Sequence, residues 1–295
     1  MNSNFAMITN IFRLIRITHW VKNTFVFAPL IFSKNLAQFD DILKASLAFL
    51  SFSLMASCIY IINDIVDIEE DRQHPVKCLR PLPSGQLSIG IALSIAFIFL
   101  AFAVLTAFFL SRTFLAIIFG YLVINLLYTY YLKKLVILDV FSIATGFLLR
   151  VTGGGAAIGV YISNWLLICT ALLALFLGFG KRRHELVLLG ENSIIHRPVL
   201  EHYNRLFLDQ IIGAITASIL MSYILYTMDS KTIQNFGTDK LILTIPFVIY
   251  GIFRYQYLVY HKKEGGSPTD LLLKDFPLLL NTTLWIVSAI LLIYF

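Results

Sequence analysis

Two stretches of this chain leave little choice of environment. Ile89–Leu110 and Thr113–Leu132 contain no charged residue, and only Ser111 and Arg112 stand between them. Each reaches or approaches the roughly 20 apolar residues an α-helix needs to cross about 30 Å of hydrocarbon. Charged residues make up only 14% of the 295, against about a quarter in soluble domains, so the apolar runs cannot all be buried behind a polar surface. They predict nine spans, at approximately 18–34, 42–62, 88–110, 113–132, 136–158, 160–180, 211–229, 240–260 and 276–295. The expected fold is an all-α integral membrane protein forming a single transmembrane domain over 1–295.

The connections supply an orientation. Three are long, at 63–87, 181–210 and 261–275, and nine spans put all three on one side. That side carries Arg13, Arg16, Lys22, Arg72, Lys77, Arg80, Lys133, Lys134, Lys181, Arg182, Arg183, Arg197, Arg205, Lys262, Lys263 and Lys274. The other carries only Lys34, Lys44, Arg112, Lys231 and Lys240. By the positive-inside rule the N-terminus and the long loops are cytoplasmic and the C-terminus lies outside, as expected for an inner (cytoplasmic) membrane protein. All six histidines fall on the same cytoplasmic side. The net charge of +6 follows this topology and does not indicate nucleic acid. Cys58, Cys78 and Cys169 are too few and scattered for a disulfide framework or a zinc site. Met1–Thr18 lacks a basic region followed by a small-residue cleavage site, so no cleaved signal is expected. There Ile11, Phe12, Leu14 and Ile15 alternate with Arg13 and Arg16, which fits an interfacial helix or a frayed basic terminus.

The first long loop opens on Asn63-Asp64-Ile65-Val66-Asp67-Ile68-Glu69-Glu70-Asp71. On a helix Asp64, Asp67 and Asp71 lie within about 60° of one another, with Asn63 at the border. Carboxylates so close repel unless a cation joins them, and oxygen-only ligands suit Mg²⁺ or Mn²⁺. A solvated acidic helix end is the plainer alternative. Against it, Arg72, Lys77 and Arg80 follow immediately, and an acidic metal face beside cations is suited to a polyphosphate. Pro75, Pro81, Pro83 and Gly85 stop the helix, and Ser88 can cap the next span.

A second cluster, Lys181-Arg182-Arg183-His184-Glu185, follows the sixth predicted span, with Lys181 and Glu185 one helical turn apart. Spans two and six thus both end in charged cytoplasmic extensions, which suggests two halves facing a central cavity under cytoplasmic cap loops. Arg182 and Arg183 read equally well as topology signals; Glu185 does not. Asp139 and Arg150 lie in or at the ends of the fifth span, about 16 Å apart along it, and ionisable groups there face a cavity or a partner. Arg150 can hold an anionic group or pair with backbone carbonyls. Gly153-Gly154-Gly155 permits close helix packing or a break. In the last loop Ser267, Pro268 and Asp270 mark a helix start.

These residues resemble the UbiA superfamily of intramembrane prenyltransferases, and most closely its decaprenyl-phosphate phosphoribosyltransferase branch (5-phosphoribosyl-monophosphodecaprenol synthases). The resemblance runs through His19-Trp20-Val21-Lys22-Asn23, Phe27-Ala28-Pro29-Leu30, Asn63 to Pro81, Asp139 with Gly146 to Arg150, Lys181-Arg182 with Glu185-Leu186, Arg254-Tyr255, and Gly265 to Asp275. It implies a Mg²⁺-dependent transfer of 5-phosphoribose from phosphoribosyl pyrophosphate (PRPP) to a polyprenyl monophosphate, serving cell-envelope glycolipid synthesis. Asp64, Asp67 and Asp71 would hold the metal and Asn63 would orient the diphosphate. Lys77 and Arg80 would neutralise the leaving charge. Lys22, Arg72, Lys133, Lys134, Arg150, Lys181 and Arg182 are candidate ligands for substrate, and Glu185 and Asp139 for sugar hydroxyls or a second metal. Homo-oligomers, trimers in this family, are also implied. One departure stands out: prenyl-diphosphate users carry a second D-x-x-x-D motif, and here the positions read Lys181-x-x-x-Glu185. The cation suits a donor with an additional phosphate. A prenyltransferase acting on a small or aromatic acceptor is the alternative, and a transporter is the alternative outside enzymes.

Overall fold

The computed structural model describes residues 3–73, 76–189, 198–261 and 268–295. His74, Pro75, His196, Arg197, Lys262, Lys263 and the expected cap Ser267 lie outside them. The helices are α1 (Ser3–Ile15), α2 (Ala28–Phe32), α3 (Phe39–Val66), α4 (Ile68–Gln73), α5 (Ile89–Leu110), α6 (Arg112–Tyr130), α7 (Leu138–Ile158), α8 (Asn164–Leu189), α9 (Arg205–Met228), α10 (Ser230–Phe236), α11 (Ile245–Tyr260), α12 (Pro268–Lys274) and α13 (Phe276–Tyr294). No strand occurs among the described residues.

Eight helical segments among the described residues are long and apolar enough to cross a membrane: α3, α5, α6, α7, α8, α9, Lys240–Tyr260 and α13. The first expected span is built differently. Ile17–Phe27 is a 3₁₀ helix that runs into the short α2. At about 2.0 Å per residue for the 3₁₀ part and 1.5 Å for the α part, this segment still extends for about 30 Å.

Two compact units are distinguishable, one formed by 1–29, 38–130 and 149–160, the other by 30–37, 131–148 and 161–295. In the first unit α3 and α5 approach closely because Ala48, Ala56, Ala103 and Ala107 are small and buried, and the Ser51 hydroxyl donates to the Ala103 carbonyl across the gap at 2.8 Å. Small residues and interhelical hydrogen bonds are the usual means of helix association in lipid. Phe52, Phe114 and Tyr121 meet edge to face in the core of the unit.

The 3₁₀ segment belongs to the same unit, and its geometry explains its fit. Side chains three apart eclipse in a 3₁₀ helix, which places Trp20, Asn23 and Val26 in one row. The Trp20 indole donates to Ser57 Oγ at 3.0 Å, and the Asn23 amide donates to Ser53 Oγ at 3.0 Å. Three 3₁₀ residues and four α residues both rise about 6 Å, so the two rungs stay in step. Val26 closes the row against α7, where a Cβ on Gly154 would fall 2.0 Å from the Val26 carbonyl oxygen. Gly153-Gly154-Gly155 therefore serves packing, and α7 runs through it unbroken.

In the second unit Phe176, Phe179, Leu208, Ile212, Ile219, Tyr255 and Leu258 form the core. A Cβ on Gly178 would lie 2.5 Å from the Val140 side chain. Away from that core, the Tyr223 hydroxyl accepts from Trp285 at 2.9 Å and bonds Thr244 at 2.7 Å. Helix starts follow their caps. Ser88, Asn204 and Asp275 accept from the backbone amides of Ile91, Phe207 and Leu278. Helix α12 begins at Pro268 as expected, with Asp270 in its first turn.

Gly154→Ala is expected to lower stability by about 1–3 kcal/mol or more, because its methyl group meets backbone that cannot rotate away. Gly120, with no atom of the described residues within 4 Å of an added Cβ, is the control. Thermal unfolding of the purified variants should separate the two; equal melting temperatures would rule out the close contact.

Candidate active site

The acidic motif sits where α3 gives way to α4. Asp67 is the transition residue, at φ −92° and ψ 11°. The interruption is slight, because the Asp67 amide still bonds the Asn63 carbonyl (2.9 Å) and the Asp71 amide the Asp67 carbonyl (2.8 Å). The i, i+7 relation of Asp64 and Asp71 therefore survives, and both side chains turn inward, 2% and 1% exposed. One nitrogen reports their closeness: Arg80 Nη1 bonds Asp64 Oδ1 at 3.1 Å and Asp71 Oδ2 at 2.6 Å. Lys77 Nζ stands 3.1 Å from Asp71 Oδ1. Arg16 pairs with Asp64 and lies over the Tyr60 ring.

The sequence after the motif explains why Arg80 is placed there. Pro81, Leu82 and Pro83 are buried, Leu82 among Cys58, Ile61 and Leu87. Ser84 returns its hydroxyl to the Arg80 carbonyl at 2.6 Å, and Gly85 takes a positive φ of 73° that ends the turn. Anchored on both sides, Arg80 has little freedom except over the two aspartates. Arg72 does not join them; it is an exposed partner of Glu69 at 2.7 Å.

Among the described residues Asn63 Oδ1 is buried without a hydrogen-bond partner, and Asp71 Oδ1 faces Lys77 without hydrogen-bond geometry. With Asp64 and Asp67 these are hard oxygen donors of the kind Mg²⁺ accepts. Yet among the described residues no three His, Cys, Asp or Glu side chains converge closely enough to hold an ion by themselves. The donor set fits a divalent cation that brings phosphate oxygens with it, not one caged by protein carboxylates.

Arg150 and Lys22 belong to the same unit. Arg150 is buried; its Nε donates to Asn23 Oδ1 at 2.6 Å and its Nη2 to the Tyr121 hydroxyl at 2.7 Å, with the guanidinium over the Tyr121 ring. It thus ties the 3₁₀ segment to α6 and α7. Lys22 is half-buried on the 3₁₀ segment.

The second cluster lies in the other unit. Helix α8 continues past the expected end of its span to Leu189, so Lys181 to Glu185 are helical. Arg182 is 1% exposed, with Nε on Asp139 Oδ2 at 2.6 Å and Nη1 on Glu185 Oε2 at 2.5 Å. Asp139, fully buried, also accepts from the Tyr203 hydroxyl at 2.9 Å. The Tyr203 oxygen in turn accepts the Ile137 amide at 2.6 Å. Burial holds the Tyr203 phenol above its ordinary pKa, so it remains a donor. Lys181 Nζ approaches Glu185 Oε1 at 3.8 Å and is more than a third exposed. Lys133 and Lys134 occupy the 3₁₀ turn before α7.

This arrangement sorts the second motif. Arg182 and Asp139 hold each other inside the protein, and Lys181 and Glu185 are the members that reach outward. Arg183 is held in the same way, by Asp209 at 2.5 Å and by the Tyr260 ring 3.6 Å beneath it. Sequence reasoning missed Arg16 and Tyr203 as site residues. In the sequence Arg16 reads as a topology charge on an amphipathic terminal segment, and Tyr203 carries no local signal at all.

Removing the Arg182 guanidinium takes from the buried Asp139 carboxylate the cation bonded to its Oδ2. Arg182→Ala should cost about 3–5 kcal/mol, and Asp139→Leu combined with Arg182→Met should recover much of it. If the double variant melts lower than Arg182→Ala, the pair is not the source of the loss.

Comparison with known proteins agrees with the fold. The UbiA prenyltransferase family model matches residues 25–267. The decaprenyl-phosphate phosphoribosyltransferase of Corynebacterium glutamicum is 31% identical over 287 residues, covering 96% of this chain and 86% of the relative. That of Mycobacterium tuberculosis is 30% identical, covering 96% and 94%. Among solved structures, a UbiA homolog from Archaeoglobus fulgidus bound to GPP and Mg²⁺ superposes with a TM-score of 0.74 at 19% identity, covering 97% of this chain and 100% of that one. With its aspartate motif at the end of a membrane-spanning helix and similarity along nearly its whole length, the chain belongs to the UbiA prenyltransferase family.

Proposed function

We propose that the protein transfers 5-phosphoribose from PRPP to a polyprenyl monophosphate of the decaprenyl type, releasing pyrophosphate. The carrying observation is the similarity to decaprenyl-phosphate phosphoribosyltransferases over 96% of the chain. The second motif supports it. With Arg182 occupied by Asp139 and Glu185, the outward-reaching members are one cation and one carboxylate, Lys181 and Glu185. That suits a sugar donor with a further phosphate better than a second metal–diphosphate clamp.

In the reaction the bond from ribose C1 to the diphosphate oxygen breaks, and the electron pair leaves with pyrophosphate. An oxygen of the lipid phosphate forms the new bond to C1. That oxygen is already anionic at neutral pH, so no strong base is required; the demand is charge stabilisation and positioning. A divalent cation, Mg²⁺ with Mn²⁺ as a possible substitute, would neutralise diphosphate oxygens when bound. Asn63, Asp64, Asp67 and Asp71 would hold it. Arg80, Lys77 and Arg16, now spread over Asp64 and Asp71, would turn to the diphosphate as the carboxylates turn to the metal. Lys181, Lys133 and Lys134 would meet the 5-phosphate or the lipid phosphate, and Glu185 the sugar hydroxyls. Asp139 and Arg182 would act by positioning Glu185. The protein would work in the inner membrane with its N-terminus and motif loops cytoplasmic and its C-terminus outside, as a homo-oligomer. The prenyl-diphosphate alternative has the fold behind it and is disfavoured by Lys181.

Purified protein incubated with Mg²⁺, labelled PRPP and a polyprenyl phosphate should move label into the lipid phase. Label that stays aqueous, while a prenyl diphosphate reacts with an aromatic acceptor, would reverse the assignment. Asp64→Ala and Asp67→Ala should each abolish transfer without preventing membrane insertion; near-normal activity in both removes the metal assignment. Lys181→Asp should raise the apparent KM for the phosphoribosyl donor by at least about tenfold, the worth of one charge-assisted hydrogen bond.

A further inference from the structure

Helix α1 has an apolar face that the protein covers only in part. Viewed down its axis, Met7, Ile8, Ile11, Phe12, Leu14 and Ile15 fall within an arc of about 160°, and Thr9, Asn10 and Arg13 take the opposite side. Leu14 and Ile15 are buried with Cys58, Ile61, Leu82 and Leu87, and Ile11 packs against the same group. Met7, Ile8 and Phe12 are 44%, 52% and 53% exposed.

The position of α1 says what meets that face. Helix α3 has 28 residues, so it is about 42 Å long against about 30 Å of hydrocarbon, and its ends emerge from the core. Helix α1 joins it near one end: Ser57 Oγ donates to the Ile15 carbonyl at 2.8 Å, one to two turns below Asn63 and Asp64. This is the level at which the apolar stretch of α3 gives way to carboxylates. An amphipathic helix at that depth, with Arg13 on its polar side, fits the boundary between acyl chains and headgroups.

The same helix leads directly to the acidic motif. Arg16, the residue after α1, takes a left-handed conformation at φ 51° and ψ 52°. For a residue with a side chain this costs about 1–2 kcal/mol and persists only where its surroundings impose it. The turn aims the Arg16 guanidinium at Asp64.

We propose that α1 docks on the membrane surface through Met7, Ile8 and Phe12, and that this docking holds the strained Arg16 turn and so sets its guanidinium on Asp64. The second half rests on the site reading above; the first does not. The partner is a lipid surface. Its headgroups meet Arg13 and its upper acyl chains meet Phe12.

The test uses the full-length protein in nanodiscs of phosphatidylcholine, with and without bromine on the acyl chains near the glycerol. The excess fluorescence of Phe12→Trp over wild type should be quenched about twofold or more by the brominated lipid; no quenching overturns docking. The Ile8→Ser/Phe12→Ser double variant changes only exposed side chains, so its melting temperature in detergent should match wild type. In nanodiscs its KM for the phosphoribosyl donor should rise about five- to tenfold with kcat changed less, and Arg16→Ala should show the same rise without adding to it. Quenching with an unchanged KM overturns the coupling to Arg16. If wild type shows no transfer at all, the function proposed above fails, and the quenching result still decides docking.

Discussion

A guanidinium taken out of water costs several kcal/mol unless acceptors meet it, and in a membrane protein water is scarce over most of the chain. Much of the polar architecture here meets that demand. Arg182 is enclosed by Asp139 and Glu185, and Arg150 by Asn23 and Tyr121, while Arg183 has Asp209 and the face of Tyr260 but no acceptor for Nη2 among the described residues. Each of these cations joins elements distant in sequence, so charge satisfaction and tertiary structure are secured by the same contacts. The acidic motif obeys the rule with the signs exchanged: two buried aspartates draw in Arg16 from before α2 and Lys77 and Arg80 from the turn after α4.

This separates the charged residues by what they can do. Arg182 and Arg150 sit in enclosed networks, where exchanging a partner for a substrate oxygen would leave another group unpaired. Arg80, Lys77 and Lys181 are each about a third exposed; on the proposed reading Arg80 and Lys77 can turn to a phosphate because a divalent cation takes their place on Asp64 and Asp71. On the proposed reading the partly exposed residues meet the substrate, and the buried ones hold them in place.

How far the sequence showed this depended on distance along the chain. The spans were legible because an uncharged run of about 20 residues has few other fates. The shared face of Asp64 and Asp71 was legible because seven residues make nearly two turns, and the i, i+4 bonds bridge the break at Asp67. Arg16 was not, since its place depends on one left-handed residue and a partner 48 positions away. Arg182 looked like a phosphate ligand because burial is invisible in a basic run. The segment at 18–34 was legible as apolar but not as 3₁₀, because hydropathy does not distinguish three residues per turn from 3.6.

That 3₁₀ segment behaves as a rack against the pinion of α3. Its teeth are Trp20 and Asn23, engaged with Ser57 and Ser53, and the next tooth, Val26, is pressed against Gly154. Inserting or deleting one residue between the teeth would turn everything beyond by about 120° and disengage the row. Loops elsewhere in the chain can change length over evolutionary time with little consequence; between Trp20 and Val26 the length itself is under constraint, whatever the side chains at Val21, Lys22, Thr24 and Phe25.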